Sequence, residues 1–284
     1  MKDTPLISIV TPSFNQAKFI GEALESVRLQ KYPNWEHLVI DGLSTDGTID
    51  LLQHELSANK QQKMLWVSER DSGQSEALNK GFRQATGEII GWLNSDDRYR
   101  PDCFEHILKA FRDNPDADII YGDYLMVDEA GKVLKTRREI EFSAFVLIYH
   151  HVLYIPTTAT FFRRRIFEEG NWLDETLQYA MDLDFFIRLS QLGYRFKHVP
   201  HLLAEFRLQP RSKTCRAPHQ MRLEHRRVVC ATAPIVRHLH YPGLRTLAIT
   251  VLCFAAWIRR YSEKLLRGYY WEHLRVRCSS LIEM

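Results

Sequence analysis

Cysteine is scarce in this 284-residue chain, and its five copies are scattered. Cys103, Cys215, Cys230, Cys253 and Cys278 form no CxxC pair, which argues against a structural zinc site and against a disulfide framework. Reduced thiols in a cytosolic setting follow. A net charge of +3 is too small to imply a nucleic-acid partner. No glycine-rich phosphate loop with a following basic residue comes after the first apolar run, where TPSFNQ stands instead. Repeats and low-complexity tracts are also missing. The longest apolar run, residues 247–258, is broken only by Thr250 and falls short of the ~20 residues a spanning helix needs. It is expected as a buried helix or a helix on a membrane surface. The N-terminus enters an apolar strand without a signal-like segment, so export is not expected.

What is present is alternation. Residues 6–11 (LISIVT) are a β-branched run, and Ile20, Ala23, Leu24 and Val27 then follow the i, i+3, i+4, i+7 spacing of an amphipathic helix. The pattern recurs with HLVID ending at Asp41 and a helix from Thr48, then MLWVS and a helix over residues 76–85, then EIIGWL ending at Leu93. Such alternation specifies an α/β fold with right-handed βαβ units and a mostly parallel sheet covered by helices on both faces. Ligands then sit at the carboxyl ends of the strands. After a helix opened by Pro101 the pattern changes to a hairpin (DIIYGDYLMVD, a turn at residues 129–131, KVLKT), then a short strand TATFF, a helix over residues 181–192, and two strands, RFKHVP and LLAEFRL.

Four acidic segments carry the candidate chemistry. NSDD, residues 94–97, places Asp96 and Asp97 at the end of a buried-looking strand, where adjacent carboxylates call for a cation or for hydrogen-bond donors. Two readings fit this tetrapeptide: a divalent-metal site, or Ser95 or Asp96 capping the next helix. Asp41 ends its strand where a nucleobase or ribose could be bound, whereas Asp46 in the loop that follows suits a helix cap. Asp71 and the backbone of Gly73 are placed to contact a donor, and Lys80 is read as surface. In MDLDFFIRL, Asp182 and Asp184 point in different directions on a helix, so at most one faces a cleft as a general base.

Taken together, SIVTPSFNQ, VIDGLSTDGT, DSGQSEALNKGF, GEIIGWLNSDD, TATFFRR with Gly170, and MDLDFFIRL closely resemble the family 2 glycosyltransferases, in register over residues 6–213. The resemblance implies the GT-A fold, a Rossmann-like sheet, and an inverting transfer from a nucleotide-sugar donor, most commonly UDP-linked, with Mn²⁺ or Mg²⁺. It implies that Thr11 and Pro12 lie against the nucleobase, that Asp41 bonds it, that Asp96 lies near the ribose and Asp97 on the metal, and that Asp182 is the catalytic base. Asp184 is then structural or on the acceptor side. The acceptor would be a glycan or a lipid-linked glycan, in cell-surface polysaccharide or lipopolysaccharide assembly.

Three departures from the family pattern stand out. Asn94 replaces a frequent acid, Met181 replaces the first acid of the ED-like block, and Gln209 in FRLQPRSKT replaces a frequent histidine. Asp97 is therefore expected to carry most of the metal binding, with Arg207, Arg211 and Lys213 either neutralising phosphate or lying on solvated surface. Two rivals are a nucleotidyltransferase and an inactive nucleotide-binding scaffold of a glycan-assembly complex. The catalytic domain is expected over residues 1–215. Residues 216–284 form a basic, helical extension, rich in arginine with Trp257, Tyr261, Tyr269, Tyr270 and Trp271, that either caps the domain or makes peripheral contact with the inner face of the cell membrane.

Overall fold

The structure, a computed structural model, describes residues 4–58, 64–150, 153–210, 212, 217–233, 235–236 and 238–270. The alternating half forms as expected: β1 (Ile7–Ser13), α1 (Ile20–Arg28), β2 (Trp35–Asp41), α2 (Thr48–Ala58), β3 (Met64–Ser68), α3 (Gln74–Gln84) and β4 (Ile89–Trp92). A two-residue β5 (Arg98–Tyr99) precedes α4 (Cys103–Asp113), and β6 (Ile119–Val127) with β7 (Val133–Arg137) makes the hairpin. Then come α5 (Ala144–Tyr149), β8 (Thr160–Arg163), α6 (Arg165–Glu168), α7 (Met181–Gln191) and β9 (Phe196–Arg207). The extension contributes α8 (Pro218–Thr232) and α9 (Pro242–Leu266).

All nine strands join one sheet in the order β3-β2-β1-β4-β8-β6-β9-β5, with β7 beside β6. The β1–β4 half and the β6–β9 pair are parallel, and the remaining pairings are antiparallel. Side-chain alternation sends Ile9, Ile89, Ile120 and Phe161 into a core with α1 and α4. Their neighbours Val10, Ile90, Ile119 and Phe162 enter a second core with α3, α5 and α7. Both faces are thus covered, and the register aligns Ser13, Asp41 and Ser68 in one row at the carboxyl ends of β1, β2 and β3.

Two segments differ from expectation. RFKHVP and LLAEFRL are one strand, β9, because the chain passes Pro200 without leaving the sheet. Gly122 pairs with Val199 while Asp123 pairs with Leu202, so Pro200 and His201 bulge out of the ladder that a proline cannot join as a donor. The apolar run 247–258 is the middle of a longer helix. α9 has 25 residues and is long and apolar enough to cross a membrane by length and composition, with 11% of its most apolar window buried. Ala256, Arg260 and Lys264 are buried on its inner face. There Arg260 and Lys264 donate to the carboxylate of Glu139 at 2.7 and 3.0 Å, and that carboxylate has no exposure. The extension therefore packs on the α/β body, while its expected boundary near Arg216 and the residues from Trp271 onward lie outside the described residues.

Thr11 is wholly buried, and its hydroxyl is 2.8 Å from His37 Nε2 on the neighbouring strand. Burial pulls the His37 pKa down to about 3, so the folded protein keeps the ring neutral. Between the unfolded value near 6.5 and about 3, the unfolded chain binds a proton that the fold excludes, so stability is full above that window and falls with acid. Urea unfolding at stepped pH should show a loss of about 1.4 kcal/mol per pH unit in that window from this group. His37→Gln should flatten that limb.

Candidate active site

The loops after β1 and β2 are laced together by hydrogen bonds at the carboxyl edge of the sheet. Asn15 adopts a left-handed conformation (φ 53°), its N–H donates to Ser44 Oγ at 2.7 Å, and its side-chain oxygen accepts from Thr45 N at 2.9 Å. Asp46 accepts from Ala17 N and Thr48 N, the capping role expected of it. Burial opposes ionisation of Asp46, but these bonds outweigh it and its pKa lies below the ordinary value.

Asp41 is fully buried within this lacing. It accepts from Ser44 N at 2.9 Å, Ser44 Oγ at 2.5 Å and Ser68 Oγ at 2.8 Å, so its first function is to fix the loops around it. Thr11, expected against a nucleobase, points into the sheet at His37 instead, because the parity of β1 turns it inward. Pro12 is buried beyond Val10, the last residue of β1 paired to β4. Sequence reasoning passed over three residues here. Phe14 and Leu43 are 60% and 48% exposed at the rim, and Ser13 Oγ is buried without a hydrogen-bond partner. The signal for Phe14 and Leu43 was a large apolar side chain in an otherwise polar loop, and Ser13 gave none.

Asp71 enters from the β3 loop. A Cβ on Gly42 would lie 2.7 Å from Asp71 Oδ2, so this close approach requires glycine. Asp71 also accepts from Gly73 N at 3.0 Å, and burial raises its pKa. Gly73, at φ 143°, begins α3 beside Gln178 in the loop before α7. Gln74 donates to Asn94 Oδ1 at 2.9 Å, and Ser75 Oγ lies 2.8 Å from Met181 Sδ. The loops after β2, β3 and β4 and the start of α7 therefore close on one another.

The two central acids are unequal. Asp97 is 1% exposed, with Oδ1 accepting from Arg207 N at 2.9 Å and Oδ2 from Asn94 Nδ2 at 3.0 Å. Asp96 is partly exposed, and Gln209 Nε2 donates to its Oδ2 at 2.6 Å. Burial raises the pKa of both, most strongly for Asp97, where the neighbouring Asp96 charge adds to it. Each Asp97 oxygen accepts one protein hydrogen bond, which fixes the carboxylate within the loop and leaves a lone pair on both oxygens. Asp96 is the more accessible of the two acids. Arg207 is 2% exposed, and Nε, NH1 and NH2 donate to Asp96 O, Glu129 O and Glu22, so its guanidinium is already committed to the protein. Arg211 and Lys213 lie outside the described residues.

On α7, Asp184 is buried and bonded to Arg188 Nε at 2.7 Å, a structural pair. Asp182 is half-buried at the first turn, where its Oδ1 accepts from Leu183 N at 2.7 Å. Lys80, expected as surface, is half-buried and pairs with Glu69 and Glu76, and its charge is felt at Asp71, where it opposes the effect of burial.

Carboxylates gathered at the ends of parallel strands, on a sheet whose second half turns antiparallel, define the GT-A fold of glycosyltransferases. The chain belongs to glycosyl transferase family 2, whose sequence profile matches residues 8–170. It is similar to chondroitin synthase of Escherichia coli, at 29% identity over 206 residues, covering 70% of this chain and 28% of that protein. The chain spans between 28% and 61% of the length of the first curated relatives it matches. Among solved structures, S. aureus TarS in complex with UDP-GlcNAc superposes with a TM-score of 0.65 at 17% identity, covering 94% of this chain and 75% of that one. A mannosyltransferase from Pyrobaculum calidifontis, in complex with GDP-Man and Mn²⁺, does so with a TM-score of 0.65 at 19% identity, covering 100% and 82%.

The inequality of the acids is testable. Asp97→Ala should lower the unfolding free energy by about 2 kcal/mol, the cost of orphaning two buried donors. Asp96→Ala should leave thermal unfolding close to wild type while weakening nucleotide-sugar binding. Equal destabilisation by the two changes would show that both acids are structural.

Proposed function

We propose that this protein is an inverting glycosyltransferase that moves a sugar from a UDP-linked donor to a hydroxyl of a glycan or lipid-linked acceptor, with Mn²⁺ or Mg²⁺. One observation carries the reading: Asp41, Asp71, Asp96 and Asp182 stand on four loops and helix starts that bond to one another at the carboxyl edge of the sheet. Asp41 and Asp71 shape the nucleoside pocket, and Phe14 at its rim offers an exposed ring on which a base can stack. Asp182, at the open side of α7, takes the proton of the acceptor hydroxyl as that oxygen attacks the anomeric carbon opposite the leaving diphosphate. The match to chondroitin synthase supports a place in polysaccharide assembly.

The residues present fit a metal in one particular way. Among the described residues no group of three His, Cys, Asp or Glu side chains could hold an ion. Hard divalent cations do bind through one or two carboxylates completed by substrate phosphates, and Asp96 supplies one such carboxylate. Bound there, the cation would offset charge developing on the diphosphate. Mn²⁺ should therefore bind weakly to the protein alone and tightly with UDP, and calorimetry in both orders of addition checks this. In a screen of nucleotide sugars, UDP release should need Mn²⁺, be lost with EDTA, and fall at least a hundredfold in Asp182→Asn. Release undiminished in that variant would refute the base.

We infer peripheral contact with the cytoplasmic side of the membrane, and the outer face of α9 supports the contact. Leu247, Val251, Phe254 and Ile258 are exposed on it, Trp257 stacks on Phe254, Arg259 is exposed on the same helix, and Arg226 of α8, exposed like its neighbours Arg222 and Arg227, reaches Thr246 Oγ1 at 3.4 Å. An apolar stripe with interfacial aromatics and arginines suits an anionic leaflet. Its buried, ion-paired Arg260 and Lys264 favour lying on the membrane over crossing it. In flotation assays the protein should rise with vesicles containing phosphatidylglycerol, and Phe254→Glu with Trp257→Glu should release it.

A further inference from the structure

The extension also reaches the start of α7, where packing alone does not describe what it does. No side chain caps this helix from its N-cap, Ala180. The peptide N–H groups of Gln178, Tyr179 and Ala180 instead converge on the carboxylate of Glu224 on α8, the first at 3.1 Å and the last at 2.6 Å. Hydrogen bonds from peptide groups to an ionised carboxylate are among the stronger ones in proteins, and the positive end of the α7 dipole reinforces them. On the opposite side, Ser75 Oγ donates to Leu177 O at 3.3 Å and contacts Met181 Sδ. Residues 177–181 are thus gripped between α3 and α8, and Asp182 is the next residue. His225, beside Glu224, is half-buried and senses the charges of Asp182 and Glu224, while burial lowers its pKa.

We propose that Glu224 is a positioning residue for the transfer reaction: by holding the three peptide groups before α7 it fixes Asp182 in the cleft and makes the extension part of the catalytic apparatus. This rests on Asp182 being the base. A carboxylate that supplies no contact to donor or acceptor then acts on turnover through geometry, since small misplacements of a reacting group are costly in rate.

The test uses the full chain, with Mn²⁺ and a panel of UDP-sugars read by UDP release, and amide hydrogen exchange without ligand. Glu224→Ala should lower kcat roughly ten- to a hundredfold. Its donor KM should stay within about twofold, because the donor-side acids do not depend on the grip. Exchange at residues 178–180 should accelerate. Glu224→Gln, which keeps one acceptor oxygen, should fall between the two and carries the same test if the alanine variant does not fold. Gln191→Ala removes the 2.9 Å bond to Thr232 O elsewhere on the same α7–α8 interface, and should change neither kcat nor this exchange. Wild-type kcat in both Glu224 variants, or an equal loss in Gln191→Ala, overturns the proposal. Full activity in Asp182→Asn would mark failure of the base assignment instead, with the exchange data still reporting on the grip.

Discussion

Arg207 sits where the last strand, the acidic loop, the first helix and the β6–β7 turn meet. Its backbone N–H holds Asp97, and its guanidinium reaches the carbonyls of Asp96 and Glu129 and the carboxylate of Glu22 while lying over the Phe19 ring at 5.0 Å. A planar fork of donors suits such a junction, where a lysine ammonium would not reach the same partners at once. Fixing the acidic loop from beneath explains how two crowded carboxyls coexist. One is turned into the protein and holds a donor on each oxygen, and the other is more accessible, with Gln209 on one of its oxygens.

The sheet divides the work of the site between its two halves. Parallel strands β1 to β4 align Ser13, Asp41 and Ser68 in one row and bring in Asp71, so their carboxyl edge is built on short loops that brace one another. The antiparallel half brings β9 back to the acidic loop and sets α7 across from α3, so Asp182 approaches from a different part of the chain. Gln74, Ser75 and Met181 join the halves directly. Rigidity of the β1–β4 edge is therefore transmitted to the start of α7 through α3.

Much of this was legible in the sequence, and the misses have physical causes. Strands such as IIGW and TFFR announce themselves because alternate residues must fill two different cores. The direction of the Thr11 side chain was not legible because one step of strand parity decides which way a side chain faces. The resemblance distinguishes Asp96 from Asp97 by role, but their difference in burial was not legible, because it depends on the donor provided by Arg207, 110 residues on. β9 was split at Pro200 because a bulge that keeps a strand continuous has no local signature. Glu224 was invisible for a related reason: an acid on a basic helix resembles ordinary solvated surface until the peptide groups it serves are placed against it.

Glu139 has no exposure, and Arg260 and Lys264 of α9 donate to it at 2.7 and 3.0 Å, with Arg137 of β7 a third cation at 3.5 Å. Removing one side of a buried ion pair leaves an uncompensated charge, at a cost of about 3–5 kcal/mol. The catalytic fold and its tail are consequently not separable modules. A chain cut after the last strand would strip this anion of its two nearest cations and leave it with Arg137 at the longer distance. An exchange of tails would keep the contact only where the acid and its α9 partners travel together, which ties the two regions into a single inherited unit.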